Sequence, residues 1–560
     1  MEKVWLKNYP KNVPAEIDPN RYSSLRALFD RAIRDYGTQP AYTNMGRTIT
    51  YTDLDRMSRN FGAWLQSVAG LGRGDRVALM MPNVLQYPIA VFGALRAGMT
   101  LVNTNPLYTP RELEHQLNDS GATVIVIVEN FAHVLSEVIA RTKVKHVVLT
   151  GVGDMLTFPK SIIVNFVIRR VRKQVPPFNL PGAVPFRSVL ARGAQLELKH
   201  VEVTHEDIAF LQYTGGTTGV SKGAMLTHRN MISNVLQSEA WMSPWISENT
   251  EIVITALPLY HIFALTANCL VFLSVGAHNI LITNPRDFQG FVAELKKYPF
   301  TYMSGVNTLF NALLHTPGFD TVDFSHLKMT LGGGMAVQGA VAEHWKKVTG
   351  HYLTQAWGLT ETSPAACINI ADTPFNGSIG LPIPSTEISI RDDDGKELGI
   401  GSVGEICVRG PQVMRGYWNR PDETAKVMLA EGWLRTGDVG RIDNEGYVYI
   451  EDRKKDMILV SGFNVYPNEV ESVAVTHPAV LEAAAIAQAD ERSGEVVALY
   501  IVVKPGQQLT EREMIDHCRK SLTGYKVPKH VYFRKELPKT NVGKILRRAL
   551  RDDIGKPAAS

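Results

Sequence analysis

A stretch rich in glycine and threonine, YTGGTTGVSKG, occupies residues 213–223 and follows the apolar segment AFLQ. Its glycines let backbone N–H groups approach an anion, its threonine hydroxyls add donors, and its lysine adds positive charge. A plain surface turn is the alternative, but the unbroken run of Gly and hydroxyl residues favours a phosphate-binding loop. The order differs from a Walker A sequence, because no GK[ST] follows a GxxxxG spacing. The candidate residues are Tyr213, Thr214, Gly215, Gly216, Thr217, Thr218, Gly219, Lys222 and Gly223.

A second group of candidates lies in the segments LGGGMAV and QAWGLTETSP, between residues 331 and 364. The triple glycine permits close approach of a flat adenine or an acyl group, although an ordinary tight turn would use glycine in the same way. Trp357 can stack on a base, Thr360 can donate to a phosphate, and Glu361 is a hard oxygen ligand that suits Mg²⁺. We therefore expect nucleotide contacts from Gly333, Gly334, Trp357, Gly358, Thr360 and Glu361.

Further motifs accompany these segments along the chain: ALPLYHIFAL from Ala256, SGVNTLFNALL from Ser304, EGWLRTGDVGRIDNEGYVYIEDRKK from Glu431, SGFNVYPNEVE from Ser461 and LPKTNVGKILRR from Leu537. In this order the motifs resemble the signatures of adenylate-forming enzymes, the superfamily of acyl-CoA synthetases, luciferases and peptide-synthetase adenylation domains. The resemblance covers nearly the whole chain. It is greatest to bacterial long-chain fatty-acid:CoA ligases, because of the stretch 431–455.

The resemblance implies roles that single residues would not reveal. Asp438 matches the family's ribose-binding aspartate, since a carboxylate accepts from both ribose hydroxyls, and Arg453 is placed near the same ribose. Lys544 stands in the context of the family's catalytic lysine, and Lys455 occupies the hinge between the large and small domains. Without their neighbours, an Asp in a TGD turn and an exposed Lys would pass for ordinary surface residues. The family more often has Tyr where this chain has Trp357, so stacking is kept but a phenol hydrogen bond is lost.

The resemblance also places the other two substrates. His261 would lie beside the carboxylate pocket, but a histidine in an apolar run is usually a structural core residue, so both a catalytic and a structural role stay open. Gly305 would leave room for an acyl chain, and Gly332 would line the same channel. Gly462 and Phe463 would face the thiol tunnel for CoA.

The implied reaction has two steps, with ATP and CoA as co-substrates. A fatty carboxylate attacks the α-phosphorus of MgATP to give acyl-AMP and pyrophosphate, and CoA thiolate then displaces AMP. Lys544 would bridge the acyl carboxylate and the α-phosphate, while Mg²⁺ held by Glu361 and Thr218 neutralises the phosphates. The catalytic candidates are therefore Lys544, Glu361 and Thr360. The acyl-CoA product would feed fatty-acid degradation and lipid metabolism.

Two other functions are weighed against this one. An adenylating enzyme could instead transfer its acyl group to a carrier-protein thiol or oxidise the acyl adenylate. We expect no carrier domain, because no serine motif of the DSL type occurs. A nucleotide-regulated lipid-binding protein without turnover would not need both Lys544 and Glu361. Long-chain fatty acid, ATP and CoA are thus the expected partners.

Apolar strands alternate with helical segments early in the chain, and this alternation must position the motifs. Segments such as RVALMMPN and ATVIVIVEN have strand character, and the helix that starts at Thr109 carries a capping box with Glu112. Such alternation predicts parallel sheets covered on both faces. After about Gly395, short strands and turns predict a small β module.

We therefore predict an α/β protein with a large N-terminal domain of parallel βαβ-built sheets plus a small β module, followed by a small mobile α+β C-terminal domain. Residues 1–452 would form the ATP- and fatty-acid-binding domain. Residues 453–560 would carry the hinge, the CoA-facing loop and the catalytic lysine.

Composition excludes several classes of protein. With 45% hydrophobic and 20% charged residues the chain is neither disordered nor collagenous nor a coiled coil. A net charge of +4 gives no chain-wide reason to bind nucleic acid. The four cysteines include no CxxC pair, and the N-terminal residues lack an apolar signal segment. We expect a reduced, cytoplasmic enzyme without export.

Two segments bear on membrane contact. Residues 252–285 contain no charged side chain, but prolines, histidines and asparagines interrupt them, which predicts strand, loop and buried helix. Residues 158–196 contain no acidic side chain, and basic residues flank the apolar run IIVNFVI. This segment is either an amphipathic contact with the cytoplasmic face of the inner membrane or a solvated insertion. Chain-length preference and oligomeric state, a homodimer included, stay open.

Overall fold

The computed structural model describes residues 2–214, 221–461, 463–490, 493–540 and 543–553. The described residues form four sheets and the helices packed against them. Six predicted site residues lie outside the described ranges: Gly215, Gly216, Thr217, Thr218, Gly219 and Gly462.

The first sheet has seven strands and confirms the predicted βαβ alternation. All neighbours run parallel except the last two in space. The side chains of Val77 and Leu79 enter one apolar cluster and those of Ala78 and Met80 another, so both faces are covered as expected for parallel strands. In spatial order the strands are Val184–Pro185, His146–Thr150, Val124–Val128, Arg76–Met80, Thr100–Asn103, Ile208–Thr214 and Lys222–Thr227.

The second sheet has nine strands and shares the larger apolar cluster with the first. Its six central strands run parallel, and antiparallel strands close both edges. In spatial order they are Leu381–Pro382, Ala365–Ile368, Leu353–Gly358, Met329–Gly332, Tyr302–Gly305, Ile252–Thr255, His278–Leu281, Pro40–Asn44 and Arg47–Thr50. Gly305, Gly332 and Gly358 are the last residues of three neighbouring parallel strands, so they lie at the same end of the sheet. We call this end the glycine edge.

The helices of the large domain begin where the sequence gives start signals. Thr109 caps helix Pro110–Ser120, and Glu112 completes the capping box, as predicted. The other α-helices of six or more residues before residue 430 are Leu25–Tyr36, Tyr51–Ser67, Gln86–Arg96, Ala132–Val138, Lys160–Phe166, Phe186–Gly193, His228–Met242, Phe288–Leu295, Asn307–Leu314, Gly339–Thr349 and Pro421–Val427.

Most of the uncharged segment 252–285 is buried, as the sequence indicates. Strand Ile252–Thr255 leads through a loop into a continuous helical stretch over 262–274, and strand His278–Leu281 follows. Within the described ranges, no helix has the length and apolar character needed to cross a bilayer.

The small β module is a four-stranded antiparallel sheet of Glu387–Arg391, Gly404–Arg409, Leu434–Ile442 and Val448–Arg453. It begins earlier than the predicted start near Gly395, because the strand EISIR precedes the turn-rich segment that marked the module. The turn after Arg453 leads into a five-stranded sheet of Phe463–Val465, Ile458–Val460, Gly494–Val503, Val480–Asp490 and His530–Phe533. Helices Pro467–Ala474, Glu511–Arg519 and Arg547–Asp552 complete this α+β unit.

Three helices of the large domain approach each other through glycine. A Cβ atom at Gly193 would lie 1.9 Å from the carbonyl oxygen of Asn60, and one at Gly93 would lie 2.7 Å from that of Ser58. Neither contact can be relieved by rotating a side chain, because the obstacle is backbone. These glycines therefore set the spacing of the helices under the first sheet.

We expect Gly193→Ala to destabilise the large domain by about 1–3 kcal/mol, because the added methyl forces two helix backbones apart. Urea unfolding followed by intrinsic tryptophan fluorescence measures the change. Gly399→Ala is the matched control, since no atom lies within 4 Å of a Cβ there and the site is exposed. Equal unfolding midpoints for the two variants would contradict the packing argument.

Candidate functional site

The last two strands of the first sheet, which run antiparallel, flank the glycine- and threonine-rich segment. Thr214 ends one strand opposite Lys222, which begins the other. Tyr213 is buried, and its hydroxyl donates to Asp119 Oδ2 over 2.7 Å. Lys222 Nζ lies 2.6 Å from Glu423 Oε2 and 4.7 Å from the Tyr417 ring centroid. The predicted lysine is therefore held in place by a carboxylate and an aromatic face.

The triple glycine lies at the end of a central strand of the second sheet, with Gly332 as the last strand residue. Gly333 N–H donates to the Gly305 carbonyl over 3.1 Å, which joins two predicted site segments. Gly334 has φ of +76°, a conformation that favours glycine. A Cβ atom at Gly334 would lie 3.4 Å from Lys544 Cε. The glycine edge of the large domain and the C-terminal lysine thus meet.

Asp438 joins the β module to the second sheet. Its carboxylate accepts from the Trp357 indole N–H at Oδ2 over 2.9 Å and from Arg453 Nε at Oδ1 over 3.1 Å. Arg453 is also the direct cross-strand partner of Asp438. Because a carboxylate has about four acceptor sites, capacity remains for two ribose hydroxyls. The indole thus supplies a hydrogen bond of its own at the position where the family more often has Tyr.

Glu361 lies in a single turn, Thr360–Thr362, that follows strand Leu353–Gly358. Its Oε1 accepts from the Tyr417 hydroxyl over 2.7 Å. Glu361 and Tyr417 line a cavity of about 300 Å³ together with residues of the β module, among them Thr436 and Gly437. Glu361 therefore borders space that a ligand can fill.

Lys544 reaches this site from the C-terminal part of the chain. Gly543 has φ of +84°, and its carbonyl accepts from the Thr308 hydroxyl over 3.0 Å. A Cβ atom at Gly543 would lie 2.8 Å from that hydroxyl oxygen, so the Gly–Lys pair needs glycine for both conformation and space. Helix Asn307–Leu314 therefore positions the loop that presents Lys544.

The charge of Lys544 is strongly influenced by its surroundings. Burial between the two parts of the chain lowers the pKa of its ammonium to about 8, and the positive charge of Arg453 acts in the same direction. The carboxylates of Asp438 and Glu361 oppose the shift but do not reverse it. In the substrate-free protein a large fraction of Lys544 is therefore neutral at mildly alkaline pH.

His261 is the N-cap residue of the helical stretch over 262–274. Its Nδ1 accepts from the Phe263 backbone N–H over 3.3 Å. Burial lowers the pKa of His261 to about 3, and the positive charge of Lys544 adds to the effect. His261 is therefore neutral at physiological pH and a weak base, which favours a structural role beside the site over that of a general base.

Gly305 and Gly332 are direct partners on neighbouring parallel strands. A Cβ atom at Gly305 would lie 2.6 Å from the Phe310 ring, and one at Gly332 would lie 2.8 Å from a Val337 methyl. The space that the glycines leave is thus filled by Phe310 and Val337 in this arrangement. The acyl-channel assignment of both glycines stays a prediction.

The predicted hinge follows the last strand of the β module. Lys454 N–H donates to the Gly437 carbonyl over 3.0 Å, and its ammonium lies 2.5 Å from Asp393 Oδ1. Lys455 is exposed at the next position. Partial desolvation and the positive charge of Arg453 lower its pKa. The predicted CoA-facing residue Phe463 is exposed and stacks on Tyr525 at 4.9 Å, on the C-terminal unit.

The structure brings together most described residues that the sequence singled out, but sequence reasoning missed their supports. Tyr417 holds Glu361, Glu423 holds Lys222, and Thr308 holds the loop before Lys544. Each support lies at least 56 residues away from its partner along the chain. No motif spacing connects such residues, so only the folded chain reveals them.

The donor set at Glu361 fits a magnesium ion shared with phosphates. Among the residues that the structure describes, no cluster of three or more His, Cys, Asp or Glu could hold a metal by itself. Mg²⁺ usually takes one or two protein carboxylates and completes its shell with water and substrate phosphates. A single oriented carboxylate facing a cavity is what such binding requires.

Comparisons with protein families cover both parts of the chain. The family model described as "AMP-binding enzyme" matches residues 29–418, and that of the "AMP-binding enzyme C-terminal domain" matches residues 469–544. The chain is 58% identical to the "Long-chain-fatty-acid--CoA ligase" of Salmonella typhimurium over 99% of this chain and 98% of that protein. It is 38% identical to the protein of the same description from Bacillus subtilis, over 99% and 98%.

Solved structures resemble the whole architecture. ATP-bound MatB from Rhodopseudomonas palustris matches with a TM-score of 0.82 at 27% identity, over 95% of this chain and 99% of that one. The anthranilate CoA ligase AuaEII in complex with anthranoyl-AMP matches with a TM-score of 0.85 at 25% identity, over 96% and 98%. Both domains are therefore arranged as in proteins that bind nucleotides or acyl adenylates.

The lowered pKa of Lys544 can be tested without any substrate. We expect the rate of its acylation by acetic anhydride to rise with pH around a midpoint near 8, because only the neutral amine reacts. Peptide mass spectrometry after brief labelling between about pH 6 and 11 gives the midpoint, and exposed Lys520 serves as the internal control. A midpoint for Lys544 at the ordinary lysine value of about 10.4 would contradict the assigned environment.

Proposed function

The chain belongs to the AMP-binding family of adenylate-forming enzymes, and we propose that it joins long-chain fatty acids to CoA through an acyl-AMP intermediate, with release of AMP and pyrophosphate. One observation carries the proposal. The desolvated ammonium of Lys544 lies at the glycine edge of the large domain, within electrostatic reach of Glu361, Asp438 and Arg453.

We assign the nucleotide to the edge formed by the second sheet and the β module. Trp357 offers a ring face for the base, and Asp438, oriented by Trp357 and Arg453, accepts from the ribose. The phosphates extend toward the hairpin whose described ends are Thr214 and Lys222. When a phosphate binds, the Lys222 ammonium either leaves Glu423 for the phosphate or contacts both groups. Gly215, Gly216, Thr217, Thr218, Gly219 and Gly223 belong to the same proposed loop.

Lys544 carries the first half-reaction in this proposal. The phosphate and fatty carboxylate bring negative charge beside its ammonium, which raises its pKa and keeps it protonated when substrates are bound. The protonated lysine bridges the two anions and stabilises the charge that develops as the carboxylate attacks the α-phosphorus. Thr360 lies beside Glu361 and donates to the same phosphate. All four cysteines are free and buried, and none is needed as a nucleophile.

We further assign Mg²⁺ to Glu361, with Thr218 as a second proposed ligand. When bound, the ion would neutralise phosphate charge. Tyr417 fixes the direction of the Glu361 carboxylate by its hydrogen bond. Hydrogen-bond partners of metal-binding side chains commonly orient them in this way.

The two half-reactions require different positions of the C-terminal domain, which we place at residues 453–560 behind a large domain of 1–452. In the observed arrangement Lys544 lies at the nucleotide edge, whereas Phe463 is exposed on the C-terminal unit. This geometry suits acyl-AMP formation. A rotation about Lys455 would withdraw Lys544 and bring Gly462 and Phe463 toward the acyl-AMP.

Cellular placement is part of the proposal. The free buried cysteines suit a reducing compartment, and we place the enzyme in the cytoplasm with peripheral contact to the inner membrane. A homodimer is compatible with the proposal, which requires no second copy.

Product analysis tests the proposed activity directly. With ATP, Mg²⁺, palmitate and CoA we expect AMP, pyrophosphate and palmitoyl-CoA in equal amounts, and without CoA an enzyme-bound palmitoyl-AMP. Turnover without palmitoyl-CoA would favour transfer to another acceptor. Binding without any AMP formation would favour a lipid-binding protein.

We expect Lys544→Ala to slow acyl-AMP formation by about 10²–10³, because one preorganised charged donor is lost. Thioester formation from supplied palmitoyl-AMP and CoA should stay within a few-fold of the parent. Rapid-quench assays of each half-reaction measure both rates. Lys535→Ala, on the exposed surface of the same domain, is the control. Equal loss in both half-reactions would contradict the assignment.

Glu361→Gln should raise the Mg²⁺ concentration needed for half-maximal pyrophosphate release, because a neutral amide is a poorer ligand for a hard cation. Tyr417→Phe keeps the carboxylate but removes its hydrogen bond, so we expect a smaller shift than in Glu361→Gln, of roughly tenfold. Metal titrations of pyrophosphate release at saturating ATP compare the two. Unchanged Mg²⁺ titrations in both variants would show that Glu361 is not a ligand of the metal.

Lys455→Pro should trap the observed arrangement, since proline fixes φ near −65° and restricts the preceding residue. We expect it to retain fatty-acid-dependent pyrophosphate release while palmitoyl-CoA formation falls by more than roughly tenfold. Lys455→Ala, which leaves the backbone free, should be mild in both assays. The rates of the variants are compared at equal folded fraction, which circular dichroism measures. Parental rates in the folded Pro variant would place the hinge elsewhere.

A further inference from the structure

The helix Lys160–Phe166, extended by a π-helical turn Val167–Val171, is fixed to the protein along one side. Ser161 is buried. Asn165 donates to Asp154 Oδ1 and accepts from the Gly153 N–H, both over 2.8 Å. Arg169 forms a bidentate contact with buried Glu129, from Nε to Oε1 and from Nη2 to Oε2, each over 2.8 Å. The helix is therefore a rigid part of the large domain rather than a loose insertion.

Another side of the same segment presents large apolar side chains to solvent. Phe158 is 80% exposed, Ile162 61% and Phe166 58%. Ile162 and Phe166 are four residues apart and therefore lie on one side of the helix, and Phe158 lies in the turn before it. Ile163 and Val171 are exposed beside them. We call Phe158, Ile162, Ile163, Phe166 and Val171 the apolar platform.

The platform has a basic border. Arg170, Arg172 and Lys173 are exposed at its C-terminal end. The charge of Arg169 is balanced by Glu129, but no acidic side chain occurs anywhere in residues 158–196 to balance the other three within the segment. An exposed apolar face bordered by cations is typical of helices that lie in the interface of an anionic bilayer.

A cavity of about 730 Å³ opens beside the platform. Ile168 and Arg172 of the platform segment line it, together with Leu107, which is 53% exposed at its rim. Its lining also includes Pro258 and Tyr260, which precede His261 in the sequence, and the positive charge of Lys544 contributes to lowering the pKa of His261. The volume lies within the range of about 300–1,000 Å³ that small-molecule sites occupy.

We propose that the platform docks on anionic bilayers and that the neighbouring cavity admits fatty acid from the bilayer toward the segment before His261. This inference rests on the proposed fatty-acid activity. The bilayer is the partner that fits both observations, because acyl chains accept the apolar side chains while anionic headgroups pair with Arg170, Arg172 and Lys173. Arg172, shared by the border and the cavity, also provides a counter-charge for an entering carboxylate.

Vesicle flotation tests the docking surface. We expect the full-length protein to float with vesicles of phosphatidylglycerol and phosphatidylethanolamine, and to be released by salt. Arg170→Gln with Lys173→Gln, neither of which lines the cavity, should weaken binding roughly thirtyfold, at about 1 kcal/mol for each charge. Ile162→Glu with Phe166→Glu should abolish it.

Val403→Glu is the matched control, since Val403 is 47% exposed on the β module, and it should bind like the parent. Parental binding by the platform variants would overturn the proposal. So would the absence of parental binding, or equal binding to vesicles of pure phosphatidylcholine, which would favour a protein as the platform's partner.

The cavity is tested through a single introduced thiol. The four native cysteines are buried, so Leu107→Cys can be labelled selectively with a bulky maleimide at the cavity rim. We expect the label to reduce palmitoyl-CoA formation by more than roughly tenfold, while label at Val403→Cys has no effect. Unchanged turnover after labelling Leu107→Cys would exclude the cavity as the route.

Substrate presentation separates this inference from the proposed activity. The platform variants should retain parental turnover on detergent-dispersed palmitate and lose it only on vesicle-borne palmitate. Equal turnover of parent and variants on vesicle-borne palmitate would overturn the docking role. If the parent protein binds vesicles but forms no palmitoyl-CoA from dispersed palmitate, the proposed activity is refuted. The proposed fatty-acid route through the cavity then fails with it.

Discussion

Removal of the Lys544 ammonium from water is the constraint on which the site depends. Its pKa falls to about 8 because the large domain and the C-terminal unit close around it, with Arg453 adding like charge. A cation in such surroundings is unfavourable alone and becomes favourable when anions arrive. The same closure that destabilises the charge of Lys544 by itself therefore strengthens the attraction of this charge for phosphate and carboxylate groups.

The backbone that supports Lys544 connects this constraint to domain movement. Gly543 adopts a positive φ and lies against Thr308 of the large domain, so the lysine is presented only while the two units are in contact. On the other side, Lys454 bonds to Gly437 and pairs with Asp393 of the β module. Both contacts are polar, which suits an interface that must open and re-form.

Binding groups in the large domain are oriented before any ligand arrives. Asp438 is fixed by Trp357 and Arg453, and Glu361 is fixed by Tyr417. Lys222 is fixed by Glu423. Such preorganisation lowers the cost of ordering side chains on binding and places charge where the reaction needs it. The platform over 158–171 follows the same logic at the surface, since its buried polar anchors hold exposed apolar residues in a defined place.

The sequence by itself determined the parallel βαβ core, the capped helix at Thr109, the buried segment 252–285 and the family, because periodicity, caps and contiguous motifs act over short distances along the chain. It also selected Lys544, Glu361 and Asp438 through resemblance. Only the tertiary structure decided that Trp357 bonds to Asp438, that Phe310 fills the space beside Gly305, and that the basic segment exposes its apolar side. These contacts join residues far apart in sequence, or depend on which helix face is already packed, and neither is encoded in local spacing.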